Sequence, residues 1–189
     1  MADTSDFRNG LVLNWNNDLW QIVEFMHVKP GKGGAFVRSK LKNIRTGKTV
    51  DNTFRAGAPV ETARVERRQH QFLYEDDMGL HLMNTETYDQ VMVPREIVPA
   101  RPYLKEGGMI DILFHSETEK ALNSEISPSV ELVVTQTDPG IKGDTATGAT
   151  KPAVVESGAT VMVPLFINEG DVIRVNTSEG GYITRVSAA

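Results

Sequence analysis

From Ala35 to Lys42 the chain alternates with a period of two: Ala35, Val37, Ser39 and Leu41 point one way, and Arg38, Lys40 and Lys42 the other. A helix repeats every 3.6 residues, so this pattern predicts a strand with one apolar and one cationic face. Residues two apart on a strand lie roughly 6.6 Å from each other, which would string the three cations into a stripe. Upstream, "LVLNWNNDLWQIVEF" predicts strand, Asn-Asn-Asp turn, strand, with aromatic and β-branched residues on both arms. Downstream, "RTGK" predicts a turn and "TVDNTF" a short strand. Helical periodicity is nearly missing; "SETEKAL" (Ser116 to Leu122) and "PREIV" are the segments expected to form a turn or two of helix. Short strands punctuated by prolines and turns predict an all-β protein of small barrels or sandwiches.

Two motifs recur. "VMVP" stands at Val91–Pro94 and at Val161–Pro164, and "LKEGGMIDI" (Leu104 to Ile112) aligns with "INEGDVIRV" (Ile167 to Val175) at an offset of 63 residues. The second pair reads as a glycine turn feeding a strand, which points to a duplicated unit. The offset divides the 189 residues into three nearly equal parts, with boundaries expected near Arg64 and near Ser127–Ser129: domains 1–64, 65–128 and 129–189. Domains of this size without disulfides are marginal alone, so neighbours are expected to pack on one another.

Composition narrows the chemistry. With 40% hydrophobic and 24% charged residues the chain reads as globular, and its longest apolar run, "VMVPLFI", falls far short of the roughly 20 residues of a membrane span. The acidic N-terminal "MADTSDFRNG" lacks a secretory pattern, and zero cysteines exclude disulfides and thiolate metal sites, so a cytoplasmic location is expected. The four histidines show no ligand spacing; we expect no metal, no cofactor and no catalytic residues. The net charge of −5 is unevenly spread. Residues 1–75 carry 12 Lys/Arg against 8 Asp/Glu, and residues 76–189 carry 8 against 17, so one part is net +4 and the other −9. Phe25 to Val50 holds seven basic residues and no acid, which predicts an anionic partner met by one end of the molecule.

The centre of that run is "KPGKGG", with Lys32 among Gly31, Gly33 and Gly34. A nucleotide-binding P-loop needs G-x-x-x-x-G-K-[S/T] leading into a helix; here no Ser or Thr follows the lysine and a strand begins instead. The residues leave two readings open, a plain hairpin loop and a polyanion contact. A second loop, Pro139 to Pro152, spans 14 residues with Ile141 as its one large apolar side chain, a length that suggests a mobile linker or a functional loop.

"KPGKGGAFVRSKLKNIRTG", "DPGIKGDTATGATKPA", "KPAVVESGATVMVPLFINEG" and the closing "GGYITRV" together resemble the bacterial elongation factor P family over essentially the whole chain. The resemblance implies three β-barrels in an L shape, an SH3-like (KOW-type) barrel followed by two OB-type barrels. It implies a non-catalytic factor, expected as a monomer, that binds the ribosome between the peptidyl and exit sites beside peptidyl-tRNA and relieves stalling at consecutive prolines. Lys32 would be the site of post-translational modification, and a lysine-modifying enzyme would be a partner. Lys29, Pro30, Gly31, Gly33, Gly34, Arg38, Lys40 and Lys42 would contact the tRNA end. Gly143, Asp144, Thr145 and Thr147 would face the exit-site decoding region, joined by Tyr182 and Arg185 as RNA contacts. The segment Thr87 to Pro94 would approach the tRNA elbow.

Overall fold

The computed structural model describes residues 2–140 and 148–189. Three curled antiparallel sheets follow one another along the chain. The first contains β1 (Ala2–Asp3), β2 (Val12–Trp15), β3 (Asp18–Val28), β4 (Phe36–Asn43), β5 (Thr49–Arg55) and β6 (Pro59–Ala63), in the order β1-β6-β2-β3-β4-β5. The second contains β7 (Val65–Asp76), β8 (Gly79–Asn84), β9 (Gln90–Val93), β10 (Met109–His115) and β11 (Lys120–Glu125), in the order β11-β10-β7-β8-β9. The third contains β12 (Ser129–Thr137), β13 (Thr150–Val155), β14 (Thr160–Pro164), β15 (Val172–Asn176) and β16 (Tyr182–Ser187), in the order β14-β13-β12-β15-β16. By compactness the chain falls into two units, residues 1–67 with 113–123, and residues 68–112 with 124–189. Among the described residues no helix is long and apolar enough to cross a membrane.

Asn16 and Asn17 both adopt positive φ, 52° and 60°, between the paired Trp15 and Asp18. That is the two-residue turn whose twist matches a hairpin, and asparagine tolerates it because its short side chain eases the steric cost. The alternation expected on β4 is present: Val37, Ser39 and Leu41 are buried, while Arg38, Lys40 and Lys42 are exposed. Val37 and Leu41 join Phe7, Leu13 and Ile22 in one core, sealed by edge-on aromatic contacts such as Phe7–Phe54 at 5.3 Å. Each fully buried aliphatic side chain of this kind contributes about 1.5–3 kcal/mol. One local expectation fails. Ser116–Glu119 form the tight turn between β10 and β11, with Glu119 at φ 52°, and Lys120–Leu122 are strand. Helix propensity lost there to hairpin pairing, which satisfies more backbone groups than one isolated helical turn can. In "PREIV", Arg95–Ile97 form a single 3-10 turn.

The duplication is visible as geometry. The sheet orders of the second and third domains are the same when β7–β11 are laid on β12–β16. Gly107 donates its N–H to Phe72 O and Phe72 to Gly108 O; correspondingly Gly170 donates to Val134 O and Val134 to Asp171 O. A bulge follows on the same strand in each, between Phe72 and Tyr74 and between Val134 and Gln136.

One turn is built three times. Asn43, Asn84 and Asn176 each end a strand, and each side-chain carbonyl accepts the N–H groups two and three residues on. The fifth residue closes the turn onto the asparagine carbonyl at positive φ: Gly47 at 72°, Gly180 at 71°, and Tyr88 at 63°. A tyrosine there carries a Cβ penalty of about 1–2 kcal/mol, against which glycine sets a loss of chain entropy of about 0.5–1 kcal/mol. Tyr88 is 70% exposed, so little packing offsets the strain. Tyr88→Gly should therefore raise stability, by up to about 1 kcal/mol in urea unfolding. An unchanged or lowered midpoint would show that the ring makes contacts that repay its conformation.

Candidate functional site

The β3–β4 hairpin carries the loop. Its last cross-strand pair is Val28 with Phe36, and the loop spans the seven residues between them. Lys29, Pro30, Gly31, Lys32, Gly33 and Gly34 are all exposed. Gly33 has φ 105°, a backbone conformation that side chains disfavour. Gly31 and Gly34 differ: a Cβ built at either would meet nothing within 4 Å. Neither is glycine because the loop's own packing needs it, so the constraint they satisfy is either flexibility or the close approach of something outside the chain. Lys32 makes no hydrogen bond or ion pair with any described residue. The loop leads into a strand, so it lacks the helix N-terminus that a phosphate-cradling P-loop requires.

The outer face of the sheet is less uniformly cationic than the acid-free run predicted. Register places Lys40 between Glu24 on β3 and Asp51 on β5. Those two acids bracket the run in sequence, one residue beyond each end, and pairing folds them back against its middle. Strands lie roughly 4.8 Å apart, so both carboxylates are cross-strand neighbours of the lysine and lower the net charge around it without an ion pair to it. Arg45 is also neutralised, donating from Nη2 to Asp18 Oδ2 at 2.9 Å. Asp18 accepts as well from Asn43 Nδ2 and from Leu19 N–H; these bonds, that from Asn43 foremost, hold its carboxyl below the usual range. The cationic pole lies at the loop end instead. There the row Val28–Phe36–Arg55 abuts Met26–Arg38–Thr53, bringing Arg55 beside Arg38. Arg38 lies over the Phe36 ring, 5.7 Å from its centroid. Sequence reasoning missed Arg55 because it falls outside the basic run, and only the β4–β5 register brings it in.

Three family patterns cover this chain. The Elongation factor P (EF-P) KOW-like domain matches residues 3–60, the Elongation factor P (EF-P) OB domain residues 65–121, and the Elongation factor P C-terminal domain residues 130–185. Elongation factor P of Salinibacter ruber is 62% identical over 189 residues, covering 100% of this chain and 98% of that one. Elongation factor P of Amoebophilus asiaticus is 52% identical over 186 residues, covering 98% of each. The chain belongs to the elongation factor P family. By family it is a translation elongation factor. Among solved structures, a translation initiation factor eIF-5A family protein from Naegleria fowleri shares the fold, with a TM-score of 0.51 at 16% identity, over 66% of this chain and 96% of that one.

In this elongation factor P relative the remaining expected site residues separate into two groups. Gly143, Asp144, Thr145 and Thr147 lie outside the described residues. The described ends of their loop are closely packed: Lys151, buried in β13, donates from Nζ to Asp138 O, and a Cβ at Gly140 would lie 2.7 Å from Leu165 O. Tyr182 and Arg185 lie on β16, the edge strand of the third sheet. Tyr182 packs against the third core. Arg185 lies over the exposed Phe166 ring, 5.3 Å from its centroid, with Nη1 3.6 Å from Asp171 Oδ2. Asp171 is buried and accepts the N–H groups of Asn168 and Ala189. Those bonds, that from Asn168 foremost, and the Arg185 cation hold its carboxyl below the usual range.

Two outcomes follow. With a generic RNA as the polyanion probe, titrated between about 50 and 200 mM salt, Arg38→Ala and Arg55→Ala should each reduce the salt slope of any binding by about one. Lys40→Ala should reduce it less, since Glu24 and Asp51 flank it on the neighbouring strands; equal effects would refute the register-based assignment. The second concerns acid. A folded-state pKa below the unfolded value means that Asp171 stabilises the fold above the ordinary carboxylate range and loses that contribution as pH falls through its folded value. Asp171→Asn should therefore be destabilising at pH 7, with the difference from the native protein shrinking as pH falls below the ordinary carboxylate range in urea unfolding.

Proposed function

We propose that this translation factor acts on the ribosome beside peptidyl-tRNA, between the peptidyl and exit sites, and stimulates peptide-bond formation where consecutive prolines stall it. The observation that carries the proposal is Lys32: an exposed, unpartnered cation on a hairpin tip, flanked by glycines whose missing side chains nothing in the loop requires. Such a tip suits close approach to a ribose–phosphate backbone such as the tRNA's terminal CCA. Lys29, Arg38 and Arg55 supply sequence-independent attraction behind it. Lys32 is the residue a modifying enzyme would extend, adding reach and hydrogen-bond donors.

The physics of the task matches a brace. Proline fixes φ and presents a hindered, constrained nucleophile, and a Pro-Pro nascent chain resists the geometry of attack. Alignment of two bound reactants can be worth about 7–11 kcal/mol of barrier, so a protein that steadies the peptidyl-tRNA end accelerates the reaction with no acid, base or nucleophile of its own. On this reading the factor is non-catalytic, cytoplasmic and active as a monomer.

Reconstituted translation of a Pro-Pro-Pro reporter beside a proline-free control provides the test. The natively modified protein should restore the proline reporter alone, and Lys32→Ala should reduce that rescue by roughly tenfold or more. Rescue undiminished by Lys32→Ala would favour a general RNA-binding module in which one charge among many matters little. No rescue by the native protein would remove the assignment.

A further inference from the structure

The two copies of the duplicated unit are unequal at one place. "VMVP" repeats at an offset of 70 residues but the glycine turn after it at 63. Between the two motifs the second domain has nine residues, Arg95 to Tyr103, where the third has two, Leu165 and Phe166. The extra residues form the 3-10 turns Arg95–Ile97 and Arg101–Tyr103.

This insert is anchored on its own domain. Val98 is fully buried, and Ser124 Oγ donates to Ile97 O. Arg95 Nε and Arg101 Nη1 lie 2.6 and 3.5 Å from the same oxygen, Glu75 Oε1. Its far end, with the residues directly after it, docks on the third domain. Ser157 Oγ donates to Pro102 O at 2.7 Å. Lys105 Nζ donates to Glu131 O and to Glu156 Oε1, both at 3.2 Å, and that Glu156 oxygen also accepts Val133 N–H. The Tyr103 ring packs against the third core. Its hydroxyl occupies the space a side chain at Gly180 would take: a Cβ there would collide with the hydroxyl and lie 2.9 Å from Cζ. Gly180 is thus fixed twice, by its positive φ and by the ring above it.

We propose that the insert is a clamp that fixes the third barrel against the second, with Tyr103 as its pin, and that Tyr103 is a positioning residue for the factor's action on the ribosome. This rests on the functional reading above. A factor that engages its target at two ends gains from rigidity, because a pre-set spacing removes ordering cost from the binding step. Loosening the clamp should weaken engagement while leaving the chemistry promoted at the Lys32 tip unchanged once the factor is bound.

The chain has no cysteine, so Glu86→Cys on the second domain and Met162→Cys on the third can be spin-labelled as a pair and their distance distribution measured. The native background and Tyr103→Phe should each show one narrow distance, since that variant keeps the ring packed on the third core and loses only the hydroxyl over Gly180. Tyr103→Ala should broaden it, and in the Pro-Pro-Pro assay should raise the half-saturating concentration by roughly tenfold with the saturated rate unchanged. Lys105→Ala with Ser157→Ala, which keeps the ring and removes polar contacts, should move both readouts the same way by less, and stands in if Tyr103→Ala loses the third barrel's amide protection. A narrow distribution in Tyr103→Ala would overturn the clamp. Broadening without a shift in half-saturation would overturn the positioning role. Absence of stimulation by the native protein would overturn the functional reading and the positioning role with it, leaving the distance measurement to decide the clamp alone.

Discussion

The pairing register of β3, β4 and β5 is the constraint on which the cationic end of the first barrel depends. Side chains alternate across a strand, so a slip of one residue in β4 would carry Val37, Ser39 and Leu41 out of the first core and drive Arg38, Lys40 and Lys42 into it. Burying those cations unpaired would cost several kcal/mol each. The apolar core of the first barrel thus enforces the outward placement of the charges. Aromatic edge contacts around Phe7 hold the same register from inside. The loop follows as a consequence, because strands that pair as far as Val28 and Phe36 carry Lys32 beyond the last rung.

The same register that exposes the cations also partitions them. Glu24 and Asp51 flank Lys40 and Asp18 pairs with Arg45, which leaves Arg38 and Arg55, in adjoining rows near the loop, without an acid directly opposite. A cationic pole near one hairpin tip would steer an anionic partner better than a uniform stripe, because it distinguishes one orientation of approach from another. The glycines around Lys32 would complement it on the proposed reading, letting the backbone approach a ligand surface that side chains would hold away.

The second and third barrels show one unit put to two uses. Strand order, the bulge after Phe72 and Val134, and the glycine turns at Gly107 and Gly170 are common to both. Divergence is concentrated in the stretch between β9 and β10, which in the second barrel reaches across to its copy. A repeated fold supplies the barrels cheaply; the specific contact between them comes from the residues the repeat does not share. Arg185 and Asp171 show a parallel economy within the third barrel, where a buried carboxylate and an exposed aromatic ring fix one guanidinium on an edge strand.

Much of this was legible in the residue pattern. Period-two alternation predicted β4 and its faces, Asn-Asn-Asp predicted the β2–β3 turn although Asp18 itself pairs with Trp15 in the strand, the recurring glycine motif predicted the duplicated unit, and the spacing around Lys32 argued against a nucleotide-binding P-loop. These are local properties, set by backbone sterics and by which side chains tolerate water. "SETEKAL" was misread for the complementary reason: a short helical preference yields when strands on either side have partners elsewhere in the sheet. Charge was legible only as a count. That Glu24 and Asp51 flank Lys40, that Arg55 joins Arg38, and that Tyr103 fills the notch over Gly180 could not be read along the chain, since each depends on residues brought together by pairing and packing. The sequence by itself determined the strands, their faces and the exposed lysine; tertiary structure decided which charges survive and which barrels are held together, because those are properties of neighbours in space.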